Sequence, residues 1–295
     1  IAQQISEPVA VVCTSGSALL NYYPAVAEAF YTGLPLVVIS ADRPPHLINI
    51  GDGQTIIQPH AFGKHILFEA NLKPTKKRFL FGVNNAQKKA QKLIAHALDI
   101  AQQEMGPVHI NVPFDEPLYE ATNKPLAIDK ISKKESIETS IGINNSTLRI
   151  WNNAQRKLVL VGVNPPDSLE SSIIEKLAND PSVIVLTETT SNLHHPNFFP
   201  SIDQLIAPLK SKEFEQLQPD LLVTFGGLII SKKIKAFLRH YKPNQHWHID
   251  LYRANNTYFS LSKHFKCSPN TFFSQLFKSS KAKSSTYFKS WNTIK

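Results

Sequence analysis

A chain of 295 residues, 42% hydrophobic and 19% charged, carries enough apolar material for about two domains and excludes a disordered or fibrous polymer. No apolar run is long enough to span a bilayer, no amino-terminal signal pattern is visible, and two distant cysteines, Cys13 and Cys267, read as free thiols; a cytoplasmic protein is expected. The net charge of +9 is concentrated in residues 210–295, where 15 Lys+Arg face 4 Asp+Glu, yet no nucleic-acid motif accompanies it, so a solvated basic surface is favoured.

Residues Ile1–Glu7 read as the last turn of a helix, so the chain is expected to be a piece of a longer protein. Val9–Cys13 is an unbroken apolar run and predicts a strand covered on both faces. It stops at Thr14-Ser15-Gly16-Ser17, where glycine permits a sharp turn and the hydroxyl residues are suited to cap a helix. That helix is predicted over Ala18–Tyr31, with Leu20, Val26 and Ala27 inward and Glu28 outward. Thr32-Gly33 and Pro35 end it, and Leu36–Ile39 is a second buried strand ending at Ser40-Ala41-Asp42-Arg43-Pro44-Pro45. Strand, glycine turn, helix and strand make one right-handed parallel crossover with polar loops at the strands' carboxyl ends, where open α/β sheets bind ligands.

Further strands are predicted at Ile66–Leu72 and Val108–Val112, around a loop at Pro74–Lys77 and a helix over Asn84–Gln103 whose inner side carries Ala86, Ala90, Leu93, Ile94, Ala97 and Ile100. Residues 120–148 are polar and aperiodic and read as a linker. A second alternating set follows: strands at Leu158–Val163, Val183–Leu186, Leu221–Phe225 and His246–Leu251, with helices at Ser171–Ala178 and Ile234–His240. From Pro269 a helix with aromatic anchors Tyr287, Phe288 and Trp291 is expected to lead towards a further domain.

Several groups have ordinary structural readings. Thr14 and Ser17 are plausible caps, Asp42 and Arg43 a loop brace, Asp52 a turn residue, and Ser231-Lys232-Lys233 a solvated helix start. His246, His248, His264 and Cys267 lack a standard zinc spacing, and histidines in so basic a region read as solvated. His109 reads as a buried, hydrogen-bonded core residue.

One combination goes further. Thr14-Ser15-Gly16, Asn21, Tyr23-Pro24-Ala25, Ala41-Asp42-Arg43-Pro44-Pro45, Gly51, Gln54 and Gln58, with Val108–Phe114 and Glu116-Pro117-Leu118-Tyr119, resemble the pyrimidine-binding domain of thiamine-diphosphate enzymes, most closely the menaquinone-pathway synthases. The resemblance implies an α/β fold of two parallel-sheet domains: a pyrimidine-binding domain over 1–122, incomplete at its start, and a central Rossmann-like domain over 149–268. Residues 123–148 and 269–295 would be linkers, the second towards a diphosphate- and metal-binding domain outside this sequence. It implies that Ser15, Gly16, Ser17, Asn21 and Pro24 line the pocket for thiamine diphosphate, and that Gln54, Arg43, Lys232 and Lys233 meet the substrate. The activating glutamate and the Mg2+ loop of such enzymes are expected outside this chain, so no catalytic residue or metal ligand is assigned within it, and alone it is expected to be inactive. Gly51-Asp52-Gly53 is not the metal motif, because it does not follow a buried strand; Gly53 stands where the family often has Asn.

The activity so implied is a transferase reaction: decarboxylation of 2-oxoglutarate and addition of the succinyl carbanion to isochorismate, in a homodimer or homotetramer with sites shared between subunits. Leu19, Tyr22, Tyr23 and Phe30 would then serve the subunit contact, although burial within one domain explains them equally. An acetolactate-synthase-like carboligase, a non-catalytic binding protein of the same fold, and a nucleic-acid binder are the alternatives, in that order.

Overall fold

Two parallel sheets, one in each half of the chain, organise the computed structural model, which describes residues 1–5, 7–73, 83–114 and 142–294. The halves separate as two units, Ile1–Ser136 and Ile137–Lys295.

In the first unit a short helix α1 (Ala2–Ile5) precedes β1 (Val9–Cys13). A 3₁₀ segment, Gly16–Tyr22, runs into α2 (Tyr23–Thr32), which ends at Gly33 in the left-handed region. Then come β2 (Leu36–Asp42), β3 (Phe68–Asn71), α3 (Val83–Gln103) and β4 (Val108–Pro113). All pairings are parallel and the order is β1-β2-β4-β3. One face of the sheet is apolar: Val37, Ala70, Val108 and Ile110 pack with Ala97 and Ala101 of α3. The opposite face carries Val38, which packs with Leu19, Val26 and Phe62. Strand alternation continues that face through Ser40 and Asp42 on β2 and His109 and Asn111 on β4, with Ser40 directly opposite Asn111.

The expected double cover of β1 is not found. It lies at the sheet edge with alternate residues outward, and Val12 is 67% exposed. Leu20 is likewise outward and Leu19 takes the core position, because Gly16–Tyr22 winds with three residues per turn and shifts the inner stripe. Ser15, at the start of that segment, makes no side-chain cap. The bulky residues assigned to a subunit contact are used within the unit. Leu19 is buried, the Tyr22 hydroxyl donates to Val12 O at 2.8 Å, and Tyr23 Oη meets His65 Nδ1 at 3.0 Å, while the Phe30 ring packs on His65. The Pro74–Lys77 loop and the Glu116–Tyr119 block lie outside the described residues.

The second unit begins with α4 (Asn145–Asn153), capped by Asn144, whose side chain accepts from Thr147 N at 2.9 Å. It continues through β5 (Lys157–Val161), α5 (Ser171–Asn179), β6 (Val183–Thr187), α6 (Ile202–Ile206), α7 (Ser211–Leu217), β7 (Leu221–Phe225), α8 (Lys232–His240), β8 (Gln245–Ile249), β9 (Leu261–Phe265), α9 (Pro269–Leu276) and α10 (Tyr287–Thr293). The parallel order β6-β5-β7-β8-β9 reverses direction between β5 and β7, and β5, β6 and β7 are buried along their whole length.

Both linker assignments change where residues are described. Positions 145–148 are the first turn of α4, and Thr147 and Trp151 of that helix are buried. Residues 269–293 are integral to the second unit: Phe272, Phe273 and Leu276 enter one core cluster, and Tyr287 and Trp291 enter the other. Polar spacing hid this, since few apolar residues of this segment follow a helical period long enough to be recognised. β9 was likewise concealed by Lys263 and His264.

Candidate functional site

At the carboxyl ends of β2 and β4 the polar face of the first sheet closes into a buried network. Ser40, Gln58 and His109 are fully buried, and Asp42 and Asn111 nearly so. Backbone donors and carboxylate acceptors fix the orientation of both carboxamides. Gly16 N–H donates to Gln58 Oε1 at 2.8 Å, so Gln58 Nε2 is the donor to Asn111 Oδ1 at 2.7 Å and to Ala41 O at 2.9 Å. Asn111 Nδ2 donates to the Asp42 carboxylate at 2.7 Å. Ser40 Oγ lies 2.8 Å from both Asn111 Oδ1 and His109 Nε2, and the imidazole tautomer decides which of them receives its one proton. His109 Nδ1 then faces Glu69 Oε1 at 3.4 Å, and the other Glu69 oxygen meets the exposed His60 at 3.0 Å. Burial pushes the Glu69 carboxyl up, but His109 and the His60 backbone and ring more than offset this, leaving it below the usual carboxylate range.

This network holds the loops that carry the sequence-predicted site residues. Gly16 sits at φ +89°, and a Cβ there would lie 3.0 Å from Gln54 O, so the Thr14–Ser17 turn and the Gly51–Thr55 loop touch backbone to backbone. Gln54 is itself at φ +55°, an unusual conformation for a residue with a side chain, and its side chain is exposed. Ser15 is nearly buried, whereas Ser17, Asn21 and Pro24 are exposed on the segment that follows. Asp52 is a turn residue, accepting from Gly53 N at 3.0 Å. Asp42 braces the backbone of Arg43 (2.8 Å to its N–H).

The members that sequence reasoning did not nominate are Gln58, Ser40, Asn111 and Glu69. Gln58 and Asn111 stood in recognised blocks, but a lone carboxamide does not announce burial. The signal that marks Ser40, His109 and Asn111 is polar residues at alternate positions late in two otherwise apolar strands.

In the second unit Lys232 and Lys233 are exposed in the first turn of α8. The amides before them are already occupied: Glu188 accepts from Ile230 N at 2.9 Å and from Ser231 N at 2.7 Å, and Ser231 caps the helix through Ile234 N. The strand-order reversal between β5 and β7 is packed closed, since a Cβ on Gly162 would stand 2.0 Å from Gly227 O. The histidines are not solvated as expected. His246 is 1% exposed, with its Nε2 2.9 Å from Thr224 Oγ1, and His248 Nδ1 approaches the same oxygen at 2.7 Å. Among the described residues no group of three or more His, Cys, Asp or Glu side chains is arranged to hold a metal ion, and no helix is long and apolar enough to cross a membrane.

Residues 1–65 match the family described as thiamine pyrophosphate enzyme, N-terminal TPP binding domain, and residues 129–293 match the middle domain of such enzymes. The chain is 51% identical over 291 residues to a 2-succinyl-5-enolpyruvyl-6-hydroxy-3-cyclohexene-1-carboxylate synthase of Flavobacterium johnsoniae, covering 98% of this chain and 51% of that protein. It is 50% identical over 275 residues to the synthase of the same name from Flavobacterium psychrophilum, covering 93% of this chain and 48% of that protein. A third of that name, from Christiangramia forsetii, is 51% identical over 286 residues, covering 89% and 48%. The chain spans about half the length of the curated relatives it matches.

Proposed function

The chain belongs to the thiamine pyrophosphate enzymes, and from that premise we propose that it forms the pyrimidine-binding and central parts of a 2-succinyl-5-enolpyruvyl-6-hydroxy-3-cyclohexene-1-carboxylate synthase. The proposed reaction is a transferase step of menaquinone biosynthesis in the cytoplasm, taking 2-oxoglutarate and isochorismate as substrates. The observation that carries it is the backbone contact of the Gly16 turn with the Gln54 loop, in a chain half of whose residues are identical to synthases of that name.

The residues fit the pyrimidine end of thiamine diphosphate. A nearly buried Ser15 and exposed Ser17, Asn21 and Pro24 offer hydroxyl, carboxamide and apolar surface beside a turn fixed by buried hydrogen bonds. The bound cofactor supplies the electron sink for decarboxylation, with Mg2+ as partner of its diphosphate. Gln54 then offers a carboxamide to a substrate carboxylate, and Arg43 offers guanidinium donors on the same unit. On α8 the exposed Lys232 and Lys233 offer positive charge to an anionic group, each ammonium acting as a point charge. A closed homodimer or homotetramer is the proposed assembly.

The test is turnover by the complete protein with thiamine diphosphate, Mg2+, 2-oxoglutarate and isochorismate. Carbon dioxide release coupled to consumption of isochorismate is expected; preference for pyruvate as donor, or no turnover, refutes the assignment. In that protein Gln54→Ala is expected to lower kcat/KM about ten- to hundredfold, the worth of one hydrogen bond to a charged group (roughly 1.5–3 kcal/mol), with cofactor affinity nearly unchanged.

A further inference from the structure

We propose that Gln58 is a positioning residue that presets the cofactor turn and the substrate loop as one unit, a role that rests on the functional assignment above. The 3₁₀ segment that opens at Gly16 has no side-chain cap of its own from Ser15. Its first N–H is capped instead from 42 residues away, by Gln58 Oε1 at 2.8 Å. The other end of the same carboxamide is anchored in the sheet, to Asn111 Oδ1 on β4 at 2.7 Å and to Ala41 O on β2 at 2.9 Å. Gln58 thus ties the turn after β1 to the ends of the two strands beside it.

Three features make this a device for position. First, the carboxamide has one orientation: reversed, it would set N–H against N–H at Gly16 and oxygen against oxygen at Asn111 and Ala41. The orientation is enforced further on by Asn111, whose own amide is locked by the Asp42 carboxylate at 2.7 Å. Second, the group is fully buried, so its bonds have no competition from water; their loss would strand the Gly16 N–H and take from Asn111 Oδ1 every donor but Ser40. Third, the turn it fixes is in contact with Gln54, since a Cβ on Gly16 would fall 3.0 Å from Gln54 O and 3.1 Å from Gln54 Cα. A Gly16 turn that relaxes towards the Gln54 loop must therefore move it. Cofactor-side and substrate-side residues share one register, and Gln58 sets it before either ligand arrives.

The test replaces Gln58 in the complete protein and reads two quantities other than activity: hydrogen exchange of the Gly16 amide, and the Kd for thiamine diphosphate with Mg2+, measured well below the melting temperature. Gln58→Met keeps the length and removes every hydrogen bond. It is expected to speed exchange at Gly16 at least about tenfold relative to the amides of β2, and to raise the cofactor Kd about tenfold or more. With cofactor saturating, kcat/KM for 2-oxoglutarate falls as well. A purely structural role would lower the melting temperature and leave the Kd of the folded protein unchanged. Wild-type exchange and Kd in Gln58→Met overturn the proposal. If that variant does not fold, Gln58→Asn, one carbon–carbon bond too short to reach both Gly16 and Asn111, is held to the same two measurements. A wild-type protein that binds thiamine diphosphate yet makes no product from the named substrates would sink the functional assignment and leave the Gln58 comparison intact.

Discussion

His246 shows how a single buried residue sets an acid limit. Burial, and then the neighbouring His248, hold its imidazole down at about 4, against an ordinary 6.5. Thr224 Oγ1 lies between the two rings, within hydrogen-bond distance of both. Because the folded pKa lies below the unfolded one, the unfolded chain binds more protons between pH 6.5 and 4, and stability falls as pH drops through that window. The loss amounts to about 3 kcal/mol, and His248, also lowered first by burial, adds in the same direction. Urea unfolding at stepped pH is expected to show this decline, and His246→Gln to make it shallower. An equally steep decline in the variant would assign the acid sensitivity to other groups.

At the scale of elements, the second sheet depends on how closely its loops approach. The loop after β5 and the loop after β7 meet where Gly162 faces Gly227, and a Cβ on Gly162 would lie 2.0 Å from a backbone oxygen that no rotamer change can move. Gly162→Ala is therefore expected to cost at or beyond the upper end of the roughly 1–3 kcal/mol typical of overpacking, read as a lowered midpoint of thermal or urea unfolding. Sequence patterning located eight of the nine strands among the described residues, because apolar runs bounded by Gly, Pro or Asn mark buried parallel strands well. It misjudged the cover of β1, since an apolar run is silent about whether its strand lies at an edge. It missed β9, where Lys263 and His264 interrupt the apolar run, and the short helices α4, α6 and α7, and it saw α10 only as aromatic anchors. For the candidate site, the loops were legible through resemblance. The buried scaffold beneath them was not, because Gln58, Ser40 and Asn111 acquire their role only when residues 42 to 71 positions apart are brought together.

Across the molecule, each unit gathers its own core, and the second relies on residues late in the sequence. Trp291 is fully buried, the Tyr287 hydroxyl donates to Leu217 O at 2.8 Å, and Phe288 N donates to Pro181 O at 3.1 Å. Trp291→Ala is expected to destabilise the second unit by about 3–5 kcal/mol, measured by chemical denaturation and visible as increased dye binding to exposed apolar surface. Seen along the direction of synthesis, the same helix is a clock. Phe199, Ile202 and Leu217 are made long before the Trp291 ring that shares their cluster, and until it emerges they form a pocket without its plug. The nascent second unit must wait, with apolar surface open, for α10, and that interval is when it is most exposed to chaperones, proteases and other nascent chains.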